Sequence, residues 1–370
     1  MREIKPNLIP ELSEHRGQKK ISEVGPYDIF NYRELVKILA RLAYENKDHL
    51  LFFRGQSEDH LNKANSSTIY PSIYRSEHLS VGELRYRFRV LEAAAKQLKE
   101  LFVREKLYGY EELRKKPYVQ YSILQHYMVC RTPLLDLTQS IRVACSFAQL
   151  FTSKNYAFIY VIGLPYITNR ISINSEHDIV NIRLLSISPP DALRPYFQDG
   201  YLAGTTDITT EYSSDKTELD FNNRLIAEFR IPNNDIFWGR GFSIIPEEAL
   251  LPANDKVKDL CESITTDLST SYQSAELGEF IEAWSVLEKT LLSLATTSSK
   301  NVRTVVSASA IIKENFQASQ ELLNLIDNIR RFRNEVIHGS RRTNSIELLK
   351  QLENIKNVQS QVEGIIKRGY

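Results

Sequence analysis

Up to about Asn254 the chain alternates strand-like and helix-like segments, and beyond it every apolar pattern is helical. That switch narrows the available folds more than any other feature. Segments 274–295, 307–316, 320–339 and 345–367 place apolar residues at three- and four-residue steps with short connections, the pattern of an antiparallel four-helix bundle. Before the switch, LLFFRGQ (50–56), YAFIYVIGL (156–164), RLLSISP (183–189) and RLIAEFRIP (224–232) read as strands. The expected fold class is α+β. Its parts are an extension over 1–30, a mixed α/β domain over 31–253, a linker over 254–273 and the helical bundle over 274–370.

With 370 residues, 42% of them apolar, both domains can bury a core. A formal net charge of +1 excludes a global field that recruits nucleic acid, so RNA binding would need a local basic patch. Cys130, Cys145 and Cys261 lack CxxC or Cys/His spacing, which argues for a reducing compartment and against structural zinc. No apolar run reaches the roughly 18 residues of a membrane span. The N-terminal stretch MREIKPNLIPELSEHRG lacks the apolar core of a signal peptide. A cytoplasmic location, no membrane contact and no bound metal are expected.

Within the mixed part, KKISEV and YDIF read as short strands, and Asn31 caps a helix that runs to about Lys47. LLFF then enters Arg54 and Gly55, a buried strand ending at a tight turn, with a guanidinium leaving the sheet end to meet a carboxylate or phosphate. Ser80 to about Lys115 reads as one long helix. Leu134 and Leu135 read as a short strand, Asp136 and Thr138 as turn residues, and Ile141 to Phe151 as a helix with small residues Ala144, Ser146 and Ala148.

Taken in order, LFFRGQ, IYPSIYR, LQHY, TPLLDLTQSIRVACSFA and RPYFQDGYLAG resemble the FRG domain family over about residues 50–202. Met128 stands where that family usually has glycine, and Pro133 where it usually has arginine before LLD. The arrangement also resembles the split sheet of arginine-type ADP-ribosyltransferases, which implies NAD as ligand or cofactor. In that likeness Arg54 grips the phosphates, Thr138 or Ser140 orients the nicotinamide ribose, and Gln198 or Glu228 takes the carboxylate's place. Gln56, Arg75, His126 and Asp136 complete the candidate pocket. The plainer alternative is a buried polar network that fixes loop geometry, or a nucleotide-binding pocket without turnover.

In the helical part, NIRRFRNEVIHGSRR (328–342) resembles the signature of the HEPN superfamily over about residues 274–370. On a helix Asn334 and His338 share a face and Arg333 sits one position round, with Gly339 as terminator. Histidine titrates in the range needed to move the protons of RNA cleavage, and arginine offers a fork for the phosphate. The resemblance implies catalytic Arg333, Asn334 and His338, no cofactor or metal, and a homodimer whose two motifs face one another. Arg330, Arg331, Arg341 and Arg342 are the expected RNA-binding patch. Together the two resemblances imply a toxin or antiphage-defence endoribonuclease controlled by its FRG-like domain, with any antitoxin left open. The alternative is an NAD-dependent transferase, or a nucleotide-binding domain, on a dimerising bundle.

Overall fold

A strand that is apolar on successive residues can be buried only if both faces of its sheet are covered. In the computed structural model, which describes residues 1–75, 81–207, 217–297, 302–337, 343 and 345–368, LLFF lies in such a sheet. The chain divides into two compact units, Met1–Leu79 with Leu84–Thr265, and Ser80–Glu83 with Thr266–Tyr370.

The order of elements is α1 (Pro10–Arg16), α2 (Ile21–Val24), β1 (Tyr27–Asp28), α3 (Tyr32–Glu45), β2 (Leu50–Gln56), α4 (Val81–Arg104), α5 (Tyr110–Lys115), α6 (Pro117–His126) and β3 (Leu135–Thr138). There follow α7 (Ile141–Leu150), β4 (Tyr156–Leu164), β5 (Ile171–Asn174), β6 (Ile179–Arg183), α8 (Leu184–Ile187), α9 (Arg194–Gln198), β7 (Gly200–Gly204), β8 (Leu225–Pro232) and α10 (Glu247–Leu250). Helices α11 (Lys256–Thr296), α12 (Val305–Phe316), α13 (Gln320–Ile337) and α14 (Ser345–Arg368) complete it.

The eight strands form one sheet in the order β1-β8-β4-β2-β3-β7-β6-β5. It is mixed, because β1 runs parallel to β8 while the other pairs are antiparallel. Side chains alternate across it. Phe53, Ile159 and Val161 pack with Leu35, Leu39 and Leu42 of α3 and with Ala144 and Ala148 of α7. Phe52, Leu135, Leu137 and Tyr160 join the other core, with Ile69 and Phe221.

Several expectations change here. The first thirty residues belong to the domain rather than extending it, since Ile9, Leu12 and Ile29 are buried in the α3 core and β1 edges the sheet. KKISEV is not a strand: α2 forms there, its start held by the Glu23 carboxylate, which accepts from the Lys20 backbone nitrogen at 3.2 Å. The long helix breaks after Arg104, where Lys106 and Gly109 take left-handed φ of 52° and 81°. RLLSISP supplies only Arg183 to β6 before turning into α8. Asp136 and Thr138 are strand residues, paired with Leu202 and Gly200 of β7. The stretch 254–273 is helical from Lys256 rather than a linker.

Gly55 has no positive φ and β2 continues through it to Gln56, so it does not make a turn. It instead allows α7 to approach. A Cβ at Gly55 would overlap the carbonyl of Ala144 and lie 2.9 Å from the backbone nitrogen of Ala148. Both are backbone atoms that cannot swing aside. Gly55→Ala is expected to destabilise the first unit by about 1–3 kcal/mol, read as a fall of about 2–12 °C in a thermal melt. An unchanged Tm would show that α7 can yield.

In the second unit α13 packs against α12 and α14. Phe280 of α11 meets Phe332 of α13 edge-on, with ring centroids 5.4 Å apart. Trp284, Leu287, Leu291, Ile326, Ile329, Leu352 and Ile355 are buried. The C-terminal region is therefore helical. No helix among the described residues is long and apolar enough to cross a membrane.

Candidate functional site

β2 and β3 share one ladder pair, Phe53 with Thr138. Beyond it toward Gln56, a cleft of about 320 Å³ is lined by residues of both strands. Arg54 reaches across: its Nη1 donates to the carbonyl of Asp136 at 2.8 Å, where a longer ladder would have supplied a backbone donor. With the Gln56 amide turned so that both its ends are satisfied, its oxygen accepts from Arg54 Nε at 2.8 Å and its nitrogen donates to the Glu58 carbonyl at 3.3 Å. Arg54 Nη2 has no partner among the described residues. Burial holds this guanidinium below the usual arginine range, opposed by the charge of Asp136. Two bonds thus aim the fork, and its free edge remains for a ligand.

Arg75 lines the same cleft, with Nε donating to the Tyr70 carbonyl at 2.8 Å. Its own carbonyl accepts from Arg87 at 3.1 Å and Arg131 at 3.2 Å, which fixes the segment. Desolvation and the neighbouring Arg54 charge push Arg75 down to about 10, still protonated near neutral pH.

Asp136 is the one carboxylate among the described lining residues. It is already engaged. Gln125 donates to its Oδ2 at 2.5 Å, and His126 Nδ1 lies 3.5 Å from Oδ1. The Gln125 oxygen accepts in turn from Thr132 at 2.5 Å and Ser72 at 3.3 Å, so the amide cannot rotate without losing partners. Met128 follows with φ of 56°, the left-handed conformation that glycine adopts most easily. Phe147 and Phe151, stacked with centroids 6.2 Å apart, give the cleft an aromatic wall.

The structure brings Arg54, Gln56, Arg75, His126, Asp136, Thr138 and Gln198 together on this cleft. Two of them are committed to the fold. Thr138 Oγ1 donates to the Gln198 carbonyl at 2.9 Å and accepts from Ser140 N at 3.0 Å. Gln198 Nε2 donates to the Leu250 carbonyl at 2.7 Å. Ser140 is absent from the lining and caps α7, accepting from Val143 N at 3.3 Å.

Glu228 lies elsewhere too. The ladders pair Arg54 with Tyr160 and Tyr160 with Glu228, so the carboxyl sits two strands away on the same face. There it accepts from Ser67 at 2.9 Å, beside Asp59, which also holds the Tyr160 hydroxyl at 2.9 Å. Desolvation, with the Asp59 charge adding to it, pushes Glu228 up to about 8. An acid raised on folding keeps its proton in the folded state while the unfolded chain ionises near its ordinary value, so stability is lost as pH rises toward about 8. Glu228→Gln is expected to match wild type near pH 5 and to melt a few degrees higher at about pH 8.5. Parallel melting curves across that range would refute the raised acid.

Sequence reasoning passed over Arg194, Gln125 and the phenyl pair. Arg194 lines the cleft and is only 6% exposed. Its signal was an arginine set directly before Pro195, Tyr196 and Phe197, a poor neighbourhood for a merely solvated charge.

In the second unit, Arg333 Nη1 donates to Asn334 Oδ1 at 3.0 Å, and Arg333 Nε is buried without a partner among the described residues. Arg330 and Arg331 both pair with Asp327, at 2.7 and 2.8 Å. The Arg330 hydrogen bond leads the effects that hold Asp327 below the usual carboxylate range. These two arginines are therefore partly neutralised on their own helix. His338, Arg341 and Arg342 lie outside the described residues. No family model, curated protein or solved structure matches the chain.

Proposed function

We propose that the first unit binds a phosphate-bearing nucleotide of the NAD class in the Arg54 cleft. The observation that carries this reading is the charge balance: Arg54, Arg75 and Arg194 face one carboxylate that neighbouring groups already hold. A guanidinium with a free edge suits a phosphate, and the phenyl wall suits a base or nicotinamide ring. Binding is favoured over ADP-ribosyl transfer, because among the described residues no uncommitted carboxylate lines the Arg54 cleft to stabilise a cationic sugar. This is the role expected of an FRG-like domain that senses rather than modifies.

The helical region is, on this proposal, the effector. Arg333, Asn334 and His338 follow the order of the HEPN motif, and the first two neighbour each other on the last described turns of α13. We read it as a metal-independent endoribonuclease site, completed by a second copy of the chain and governed by the nucleotide. A toxin or antiphage-defence protein would use that coupling to keep RNA cleavage latent.

The test is calorimetric titration of the full chain with NAD, ADP-ribose and adenosine. The two phosphorylated compounds are expected to bind and adenosine to fail. Equal binding of adenosine, or binding of none, would sink the nucleotide reading.

A further inference from the structure

A buried cation with unsatisfied donors is an incomplete structure. Arg194 is such a group: it is 6% exposed, and its Nε and Nη1 are buried with no hydrogen-bond partner among the described residues. The guanidinium carbon stands 5.1 Å over the Tyr127 ring, a contact that supports the charge without satisfying its N–H groups. Its backbone is firmly held. Asp255 accepts from the Arg194 and Leu193 nitrogens at 3.1 and 3.0 Å, and from the Tyr127 hydroxyl at 2.7 Å.

The same end of the cleft holds a second orphan. His126 Nε2 is buried without a partner among the described residues, and the His126 ring meets Tyr127 edge-on at 5.7 Å. Both side chains line the cleft and both flank Tyr127. Arg194 is held on different partners from Arg54: it stands over Tyr127 with its backbone on Asp255, whereas Arg54 is aimed by the Asp136 carbonyl and Gln56, and His126 bridges the two at 3.5 Å from Asp136 Oδ1.

We propose that Arg194 and His126 form a second anion subsite, which takes a phosphate group of the nucleotide other than the one gripped by Arg54. The inference rests on the nucleotide reading above and makes it more specific: the ligand carries at least two phosphates. Arg194 supplies two donors, and His126 Nε2 adds a third when it carries a proton. No covalent step is involved.

The experiment titrates ADP and AMP into the full chain, as wild type and as Arg194→Met, which keeps length and apolar stem while removing charge and donors. Wild type is expected to bind ADP about tenfold more tightly than AMP, about 1.4 kcal/mol. In Arg194→Met that preference disappears, ADP affinity falling to about that of AMP. An ADP preference that survives the substitution overturns the subsite alone. Failure of wild type to bind either nucleotide overturns the broader reading together with it. The unliganded melt adds an independent readout, because removing an unpaired buried charge should leave Tm unchanged or raise it. A fall of several degrees would show that Arg194 is a structural residue, and would overturn the proposal.

Discussion

Arg54→Ala should weaken NAD binding by about 100-fold or more. Two charge-assisted hydrogen bonds to a phosphate, each contributing about 1.5 kcal/mol at the low end, account for that factor. The geometry makes the loss specific. Arg54 is aimed by the Asp136 carbonyl and Gln56, so its free edge enters the cleft already oriented and little ordering entropy opposes binding. Arg54→Lys should recover only a small part, since one ammonium cannot hold both internal partners and still present a planar fork. The check is calorimetry beside a thermal melt. Binding of NAD by Arg54→Ala within about threefold of wild type would remove the guanidinium from the site, and with it the case for a phosphate in this cleft.

His338→Ala is expected to abolish cleavage of total RNA in the presence of EDTA, with the loss at least about 100-fold, the lower end of what a positioned acid or base contributes. His338 follows directly on Ile337, where α13 ends among the described residues. The variant is expected to melt as wild type does, which separates loss of chemistry from loss of fold. Cleavage at the wild-type rate by His338→Ala would place the chemistry elsewhere. The proposed control adds a second readout: NAD should change the wild-type cleavage rate and leave that of Arg54→Ala unchanged. An effect of NAD on both would separate the nucleotide from the cleft, since linkage requires that the regulating ligand bind where Arg54 holds it.

How much of this was legible can be argued from single residues. Asn31 was read as a cap and does cap α3, accepting from Glu34 N at 2.9 Å. That bond closes within four residues, so local chemistry decides it. The four C-terminal helices were read from their period, since each amphipathic stripe repeats within its own segment. By contrast, Asp136 and Thr138 looked like turn residues and are strand. Their partners are β2 and β7, far away in sequence, and a four-residue strand has no periodicity long enough to announce itself. The β5–β6 hairpin went unseen for a related reason: β5 lies at the sheet edge, where the apolar alternation is weak.

The candidate site divides in the same way. Arg54 was visible because an arginine directly follows a buried apolar run, a pattern contained in five residues. Arg194 was not, because an unsatisfied guanidinium is a statement about every neighbour it lacks. Gly55 shows the limit most clearly. Its sequence context suggested a turn, while the folded chain uses it to admit the Ala144 carbonyl from a helix some ninety residues away. Strand and helix periods, caps and the charged end of β2 were determined by the sequence alone, because they depend on neighbours within a few residues. Which hydroxyls are consumed by the fold, which carboxylates are already paired and which arginines stand free were decided only by the tertiary structure. Those properties depend on segments that meet across the sheet, and burial sets the energy of each group only once they have met.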